Sequence, residues 1–332
     1  MRTTKSFIFV ILGSLSLLAF GWWGSDNYKK FLDKDLSLPS WNKPKPLEKY
    51  SIENLSTTEI KAVNIKVEKN SLFSFEYDPT LQNKEGKKVT GYINIPKVNT
   101  PDQKFPLILL IRGYVDPSIY SSGVGTKRVG DFFAENGYIT IAPDFLGYAG
   151  SDIESSNIFE ARFQTYTTVL TLLKSINSQN FPLWDNKNIF IWAHSNGGQI
   201  ALTTLEITGA NYPTVLWAPV TKPFPYSILY FTDESEDHGK FIRLKLSKFE
   251  EDYDVEKYSL TNYLERINAP IELHQGTNDD AVPTSWSDTF YKEMTNLDKD
   301  IKYYKHPGAD HNMNPHWGDV IIKTLDFFTA KR

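Results

Sequence analysis

The 332-residue chain contains no cysteine. That excludes disulfides, thiolate metal sites, a cysteine nucleophile and a lipid-bearing N-terminal cysteine. A cysteine-free protein works on either side of a membrane. Surplus positive charge is also missing: 36 Lys and Arg face 40 Asp and Glu, a net charge of −4. The chain therefore has no basic footprint for nucleic acid. No histidine pair has a spacing such as His-Glu-x-x-His, so neither zinc nor another metal is expected. What is present suits a globular protein with a sizeable core, at 40% hydrophobic and 23% charged residues.

The first segment stands apart. Met1 to Lys5 is positive, and Phe7 to Trp23 is almost continuously apolar. Residues 1–24 read as an uncleaved signal-anchor, with Trp22 and Trp23 at the level of an aromatic belt. The alternative is a secretory signal cleaved near Ala19-Phe20-Gly21. Both readings place the bulk of the chain outside the cytoplasm: membrane-anchored in the first, secreted or periplasmic in the second. Residues 25–59 are charged, carry Pro39, Pro44 and Pro46, and read as a tether.

From residue 60 to 332 the pattern is that of one catalytic domain. Alternating runs at 60–67, 71–77 and 89–96 predict antiparallel strands. Leu107 to Ile111 is apolar on both faces, as a central parallel strand should be. Strand and helix signals then alternate: strands at 138–143, 189–193, 212–219, 270–274 and 301–304, and helices around 128–135, 161–176, 285–294 and 317–328. Such alternation predicts a doubly wound, mostly parallel sheet. Residues 220–267 break the rhythm with mixed aromatics and acids, and read as a helical, lid-like insertion.

In an open sheet of this kind, ligands bind beyond the carboxyl ends of the strands. Three residues there have the chemistry of acyl transfer. The run Ile189-Phe190-Ile191-Trp192-Ala193 leads into His194-Ser195-Asn196-Gly197-Gly198 and then into helical spacing. This is a nucleophile elbow with Ala193 in the first glycine's place, and it predicts a strained backbone at Ser195. A serine hydroxyl is a poor nucleophile without a base, an orienting carboxylate and oxyanion donors. Asp279 follows the strand ending at His274, and His311 follows the strand ending at Tyr304. The order Ser, Asp, His is that of the α/β-hydrolase fold.

Rivals are weighed by position. Asp280 adjoins Asp279 and reads as solvated loop. His306 abuts its strand, His316 starts the last helix, His274 is a strand histidine, and His238 lies in the insertion. The side chain of His194 is expected to point away from the nucleophile. The oxyanion donors are the backbone N–H of Asn196 and the backbone N–H or hydroxyl of Tyr114. Arg112 is a candidate for a substrate carboxylate, or equally for an ion pair. No cofactor is needed.

At these residues the chain resembles the catalytic domain of the prolyl oligopeptidase family of serine peptidases and its single-domain, esterase-like relatives. The matching pieces are Pro143 to Ser151, His194 to Gly198, Ile267 to Pro270, Gly276 to Pro283 and Pro307 to His311. The Gly-Thr-x-Asp-x-x-Val-Pro piece selects Asp279 over Asp280. A tyrosine in the position of Tyr114 can donate its hydroxyl in this family. Two departures stand out. Ala193 replaces a glycine. The larger peptidases carry a β-propeller, for which the roughly 80 residues ahead of the oxyanion strand are too few. The resemblance implies a serine hydrolase acting on a peptide or acyl-ester substrate, with the peptidase reading slightly ahead and a carboxylesterase as the alternative. A non-catalytic binding module on the same fold is the reading from another class, and the three triad types argue against it.

Overall fold

The computed structural model describes residues 43–82, 86–178, 181–233 and 235–332. The expected N-terminal anchor lies outside the described residues. Among the described residues, no helix is long and apolar enough to cross a membrane.

The larger of two compact units comprises residues 52–221 and 260–332. Its centre is a nine-stranded sheet in the order β1-β2-β3-β5-β4-β6-β7-β8-β9. The strands are β1 (Lys66–Val67), β2 (Leu72–Tyr77), β3 (Lys87–Asn94), β4 (Phe105–Ile111), β5 (Ile139–Pro143), β6 (Trp184–His194), β7 (Thr214–Trp217), β8 (Ile271–Gly276) and β9 (Ile301–His306). The first three pair antiparallel and β3 meets β5 antiparallel, while β5, β4, β6, β7, β8 and β9 run parallel. The fold is that of an α/β-hydrolase. Every residue of β4 and β5 is buried, which is why both runs lack the polar alternation of a one-faced strand.

The helices of this unit are α1 (Ile52–Thr57), α2 (Lys127–Glu135), α3 (Ile158–Ser178), α4 (Asn196–Thr208), α7 (Thr284–Asn296) and α8 (Trp317–Ala330). One face of the sheet presents Ile108, Leu110, Phe190, Trp192, Val215 and Trp217. These join Val129 and Phe133 of α2 and Val320, Ile321 and Phe328 of α8 in one core cluster. On β4, β6 and β7 those residues are spaced by two, as the pleat requires. Helix α4 lies against β4, β6 and β7 and also touches α1 and α3.

The smaller unit joins the described residues 43–51 to residues 222–259. It holds α5 (Tyr226–Thr232), α6 (Lys240–Glu250) and a 3-10 turn at Val255–Tyr258. Asp237 stops the chain before α6 by accepting from the N–H groups of Gly239 (2.9 Å) and Phe241 (2.8 Å). Phe224, Phe249, Tyr253 and Tyr258 form an aromatic cluster. The Tyr258 hydroxyl donates to the Leu47 carbonyl at 3.0 Å, and Lys43 pairs with Asp252 at 2.7 Å. Leu47 and Tyr50 are buried. The second half of the segment expected to be a tether is thus ordered chain, with residues 48–50 and 52–57 helical.

Candidate active site

Ser195 sits between the last residue of β6 and the first of α4, at φ 56° and ψ −125°. A side chain in this region of backbone space is strained, and the surroundings hold it there. The Ser195 N–H donates to the Trp217 carbonyl (3.0 Å). Its own carbonyl accepts from Gly198 (2.9 Å) and Val220 (2.9 Å). The small residues are needed for close approach. A Cβ at Gly197 would lie 2.1 Å from the Ile111 carbonyl oxygen, and one at Gly198 would lie 2.4 Å from Pro219 Cβ. Ala193 fits because its site is fully buried but asks only for a methyl group.

Asp279 and His311 come from the loops after β8 and β9. His311 Nδ1 lies 3.0 Å from Oδ1 and 2.9 Å from Oδ2 of Asp279. The Asp279 side chain is fully buried, and that of His311 is partly open. Burial alone would raise the Asp279 pKa. The bond and charge of His311, with the N–H groups of Val282 (2.8 Å) and Ala281 (2.9 Å), outweigh it and hold the carboxyl below its ordinary value. Gln275 Nε2 adds a fourth donor at 2.8 Å. Asp280 is exposed. The two loops are pressed together at Gly276, where a Cβ would meet the Ala309 carbonyl oxygen at 2.3 Å, and Asn278 N–H donates to that carbonyl at 2.9 Å.

The third neighbour is His194, whose ring does not point away from the site as expected. Its Nε2–H donates to the His311 backbone carbonyl at 3.0 Å, and the two ring centroids lie 4.7 Å apart. Burial, and then the neighbouring His311, push the His194 pKa down to about 4. The other histidines lie elsewhere. His274 bridges Glu272 (3.0 Å) and His306 (2.9 Å), all three buried. His316 Nε2 donates to the Pro307 carbonyl.

The loop after β4 reaches the nucleophile. A Cβ on Gly113 would lie 2.7 Å from Ser195 Cβ. Tyr114 is 53% exposed beside it, and Asn196 opens α4. The guanidinium of Arg112 is buried among protein groups. It is 5% exposed, donates from Nη1 to the Gly113 carbonyl (2.9 Å) and from Nη2 to the Asp144 carbonyl (2.8 Å), and lies over the rings of Tyr120 and Tyr148. Both partners are backbone carbonyls rather than the carboxylate of an ion pair. Sequence reasoning missed the contacts of His194 with His311 and of Arg112 with Asp144, because each partner lies on a loop distant in the chain. Among the described residues, no group of three or more His, Asp or Glu converges as a metal site.

The arrangement supplies a strained hydroxyl, an oriented imidazole, a buried carboxylate and a helix N-terminus, each just beyond the carboxyl end of a parallel strand. These are the parts of acyl transfer. The sequence profile described as the prolyl oligopeptidase family matches residues 127–331. The acetyl esterase Axe7A of Xylanibacter ruminicola is 22% identical over 285 residues, covering 76% of this chain. The chain spans 61% of that relative's length. Est1E from Butyrivibrio proteoclasticus, solved with ferulic acid bound, superposes with a TM-score of 0.54 at 21% identity, covering 77% of this chain and 98% of its own. An acylaminoacyl peptidase of Pyrococcus horikoshii gives a TM-score of 0.58 at 17% identity, covering 81% of this chain but 42% of its own.

Proposed function

The chain belongs to the prolyl oligopeptidase family and is a serine hydrolase, and we propose that within that family it is a carboxylesterase. The observation that supports the triad is the pair of contacts from His311 Nδ1 to both oxygens of Asp279, with the His311 carbonyl bonded to His194, the residue before the strained Ser195. In the proposed reaction, Ser195 Oγ attacks the ester carbonyl as His311 Nε2 takes its proton. Asp279 holds the imidazole in the right tautomer and stabilises the imidazolium. The tetrahedral oxyanion is met by the Asn196 N–H, at the start of α4, and by Tyr114. His311 then returns the proton to the leaving alkoxide. Water repeats the sequence on the acyl-enzyme, releasing the acid and restoring Ser195.

The choice of ester over amide reverses the tilt that the family resemblance alone suggested. It is supported by the kind of relative matched. The esterase bound to ferulic acid is covered over almost its whole chain, and the peptidase over less than half of its own. The relative found by sequence is an acetyl esterase. Short acyl esters and aromatic acyl esters are therefore the substrates to try first. Residues 1–24 would hold the enzyme at a membrane with its domain outside the cytoplasm.

The test is a comparison of kcat/KM for p-nitrophenyl acetate and a feruloyl ester with that for Gly-Pro and Ala-Pro anilides, in wild type and Ser195→Ala. Ester turnover well above anilide turnover, lost in the variant, is expected. Preferred cleavage of a prolyl anilide would restore the peptidase reading.

A further inference from the structure

Arg112 is a buried cation at the edge of the site. Its guanidinium carbon lies 4.4 Å from the Tyr120 ring centroid and 4.0 Å from that of Tyr148. The rings themselves meet edge to face. Tyr120 is fixed in turn. The Tyr120 hydroxyl donates to Asp144 Oδ1 at 2.7 Å. The fully buried Asp144 carboxylate also accepts from Ser122 and Thr90, each at 2.6 Å. Loops from β4 and β5 are thereby tied around one guanidinium. Its two contacts to main chain differ in kind. Nη2 to the Asp144 carbonyl anchors Arg112 to the neighbouring loop. Nη1 to the Gly113 carbonyl reaches the residue packed against the nucleophile.

The Gly113 carbonyl and the Tyr114 N–H belong to one rigid peptide plane, in which a trans bond points them in opposite directions. A donor that fixes the carbonyl fixes the direction of the N–H. Glycine at 113 has no side chain to resist rotation of that plane, so the restraint has to come from outside. Arginine suits the task. Its planar fork serves two carbonyls at once, and its faces stack on aromatic rings. A lysine has neither the fork nor the flat face.

We propose that Arg112 is a positioning residue for the oxyanion hole, holding the Gly113–Tyr114 peptide so that the Tyr114 N–H faces the oxyanion formed at Ser195. The inference rests on the reading that Tyr114 supplies the second donor. It replaces substrate binding as the role of Arg112. Such a residue acts on the transition state and leaves ground-state binding alone.

The experiment uses the full chain with Arg112→Met, with Arg112→Lys as the more conservative change, and with Arg112→Ala for chemical rescue. It measures kcat and KM for p-nitrophenyl acetate and Ki for an aryl trifluoromethyl ketone, which forms a tetrahedral oxyanion on the serine. Arg112→Met and Arg112→Lys are expected to lose about 100-fold in kcat, the scale of one missing oxyanion donor. KM should change little, and ketone Ki should rise by a matching factor. Added guanidinium should restore part of the activity to Arg112→Ala, through the slot beside Tyr120 and Tyr148. If Arg112→Met fails to fold, Arg112→Lys and the rescue carry the test. A folded variant with unchanged kcat, a loss confined to KM, or a kcat loss with unaltered ketone affinity would overturn the inference. A wild type whose turnover survives Ser195→Ala would instead sink the triad reading itself. The two failures are therefore distinguishable.

Discussion

His194, the residue just before Ser195, donates its Nε2–H to the backbone carbonyl of His311, the proposed base, at 3.0 Å. One elbow residue thus holds the loop that carries His311. The bond fixes the tautomer: with Nε2 protonated, the neutral ring of His194 keeps its lone pair on Nδ1. Its pKa, pushed down to about 4, keeps it neutral at working pH and spares His311 a neighbouring cation. His194→Ala is expected to lower kcat about tenfold by loosening His311, and to cost about 1 kcal/mol of stability for the lost hydrogen bond. Kinetics and chemical denaturation check it. Unaltered kcat in a folded variant would mean the contact is incidental.

The acid and base loops touch at Gly276, where an added Cβ would overlap the Ala309 and Asp310 carbonyl oxygens at 2.3 and 2.7 Å. Backbone atoms cannot give way as a flexible side chain does. Gly276→Ala is therefore expected to separate Asp279 from His311, with kcat falling at least about 100-fold and a lowered melting temperature. A variant with wild-type turnover would show that the loops tolerate displacement.

Acid should weaken the fold through histidines. Burial lowers His194 and His306 to about 4, aided by His311 in the first case and His274 in the second. Burial also lowers His274, against the pull of Glu272. In the unfolded chain these groups titrate near about 6.5. Between about 6.5 and 4 the unfolded chain binds more protons, so stability is full above that window and declines as pH falls through it. Melting temperatures from pH 8 to pH 4.5 should drop progressively, and His306→Asn should flatten the slope.

Helix α4, behind the nucleophile, carries a group with the opposite sign. Glu206 is fully buried and neither oxygen has a hydrogen-bond partner. Burial, then the charge of Glu265, hold its carboxyl well above the ordinary value, with Arg266 pulling the other way. Its contribution is intact below the unfolded value of about 4.3 and is lost as pH rises toward the folded pKa. Replacing it by an apolar residue removes an unsatisfied group. Glu206→Leu is expected to raise the melting temperature at pH 8 by about 2–4 °C for each kcal/mol recovered, and by much less near pH 4.5. An equal change at both pH values would contradict a protonated Glu206.

The proposed triad rests on residues that each stand out locally. Ser195 follows a short apolar run and precedes two glycines, and Asp279 and His311 each end a strand signal in turn-rich chain. Local chemistry also exposed the β strands, though not the swapped order of β5 and β4, which no single segment encodes. Nor did it show that Lys43 and Leu47 would find Asp252 and Tyr258 some 200 positions away. Arg112 read equally as a ligand for a substrate carboxylate or as half of an ion pair, because it follows a central strand into the loop beside the elbow. Its true partners, Tyr120, Asp144 and Tyr148, arrive on two loops. His194 was misread because alternation along a strand predicts a side chain's face only up to the elbow, where the strained turn at Ser195 redirects the chain.

The central claim is a covalent acyl-enzyme on Ser195 formed from an ester. Wild-type protein mixed with excess phenyl acetate, quenched in acid within milliseconds, and examined by intact and peptide mass spectrometry tests it most directly. We expect one added acetyl group, mapped to Ser195, that builds up as phenol is released and decays as acetate forms. It should be missing in Ser195→Ala. Phenol release with no adduct at any time, or an acetyl group on another residue while Ser195→Ala remains active, would contradict the account.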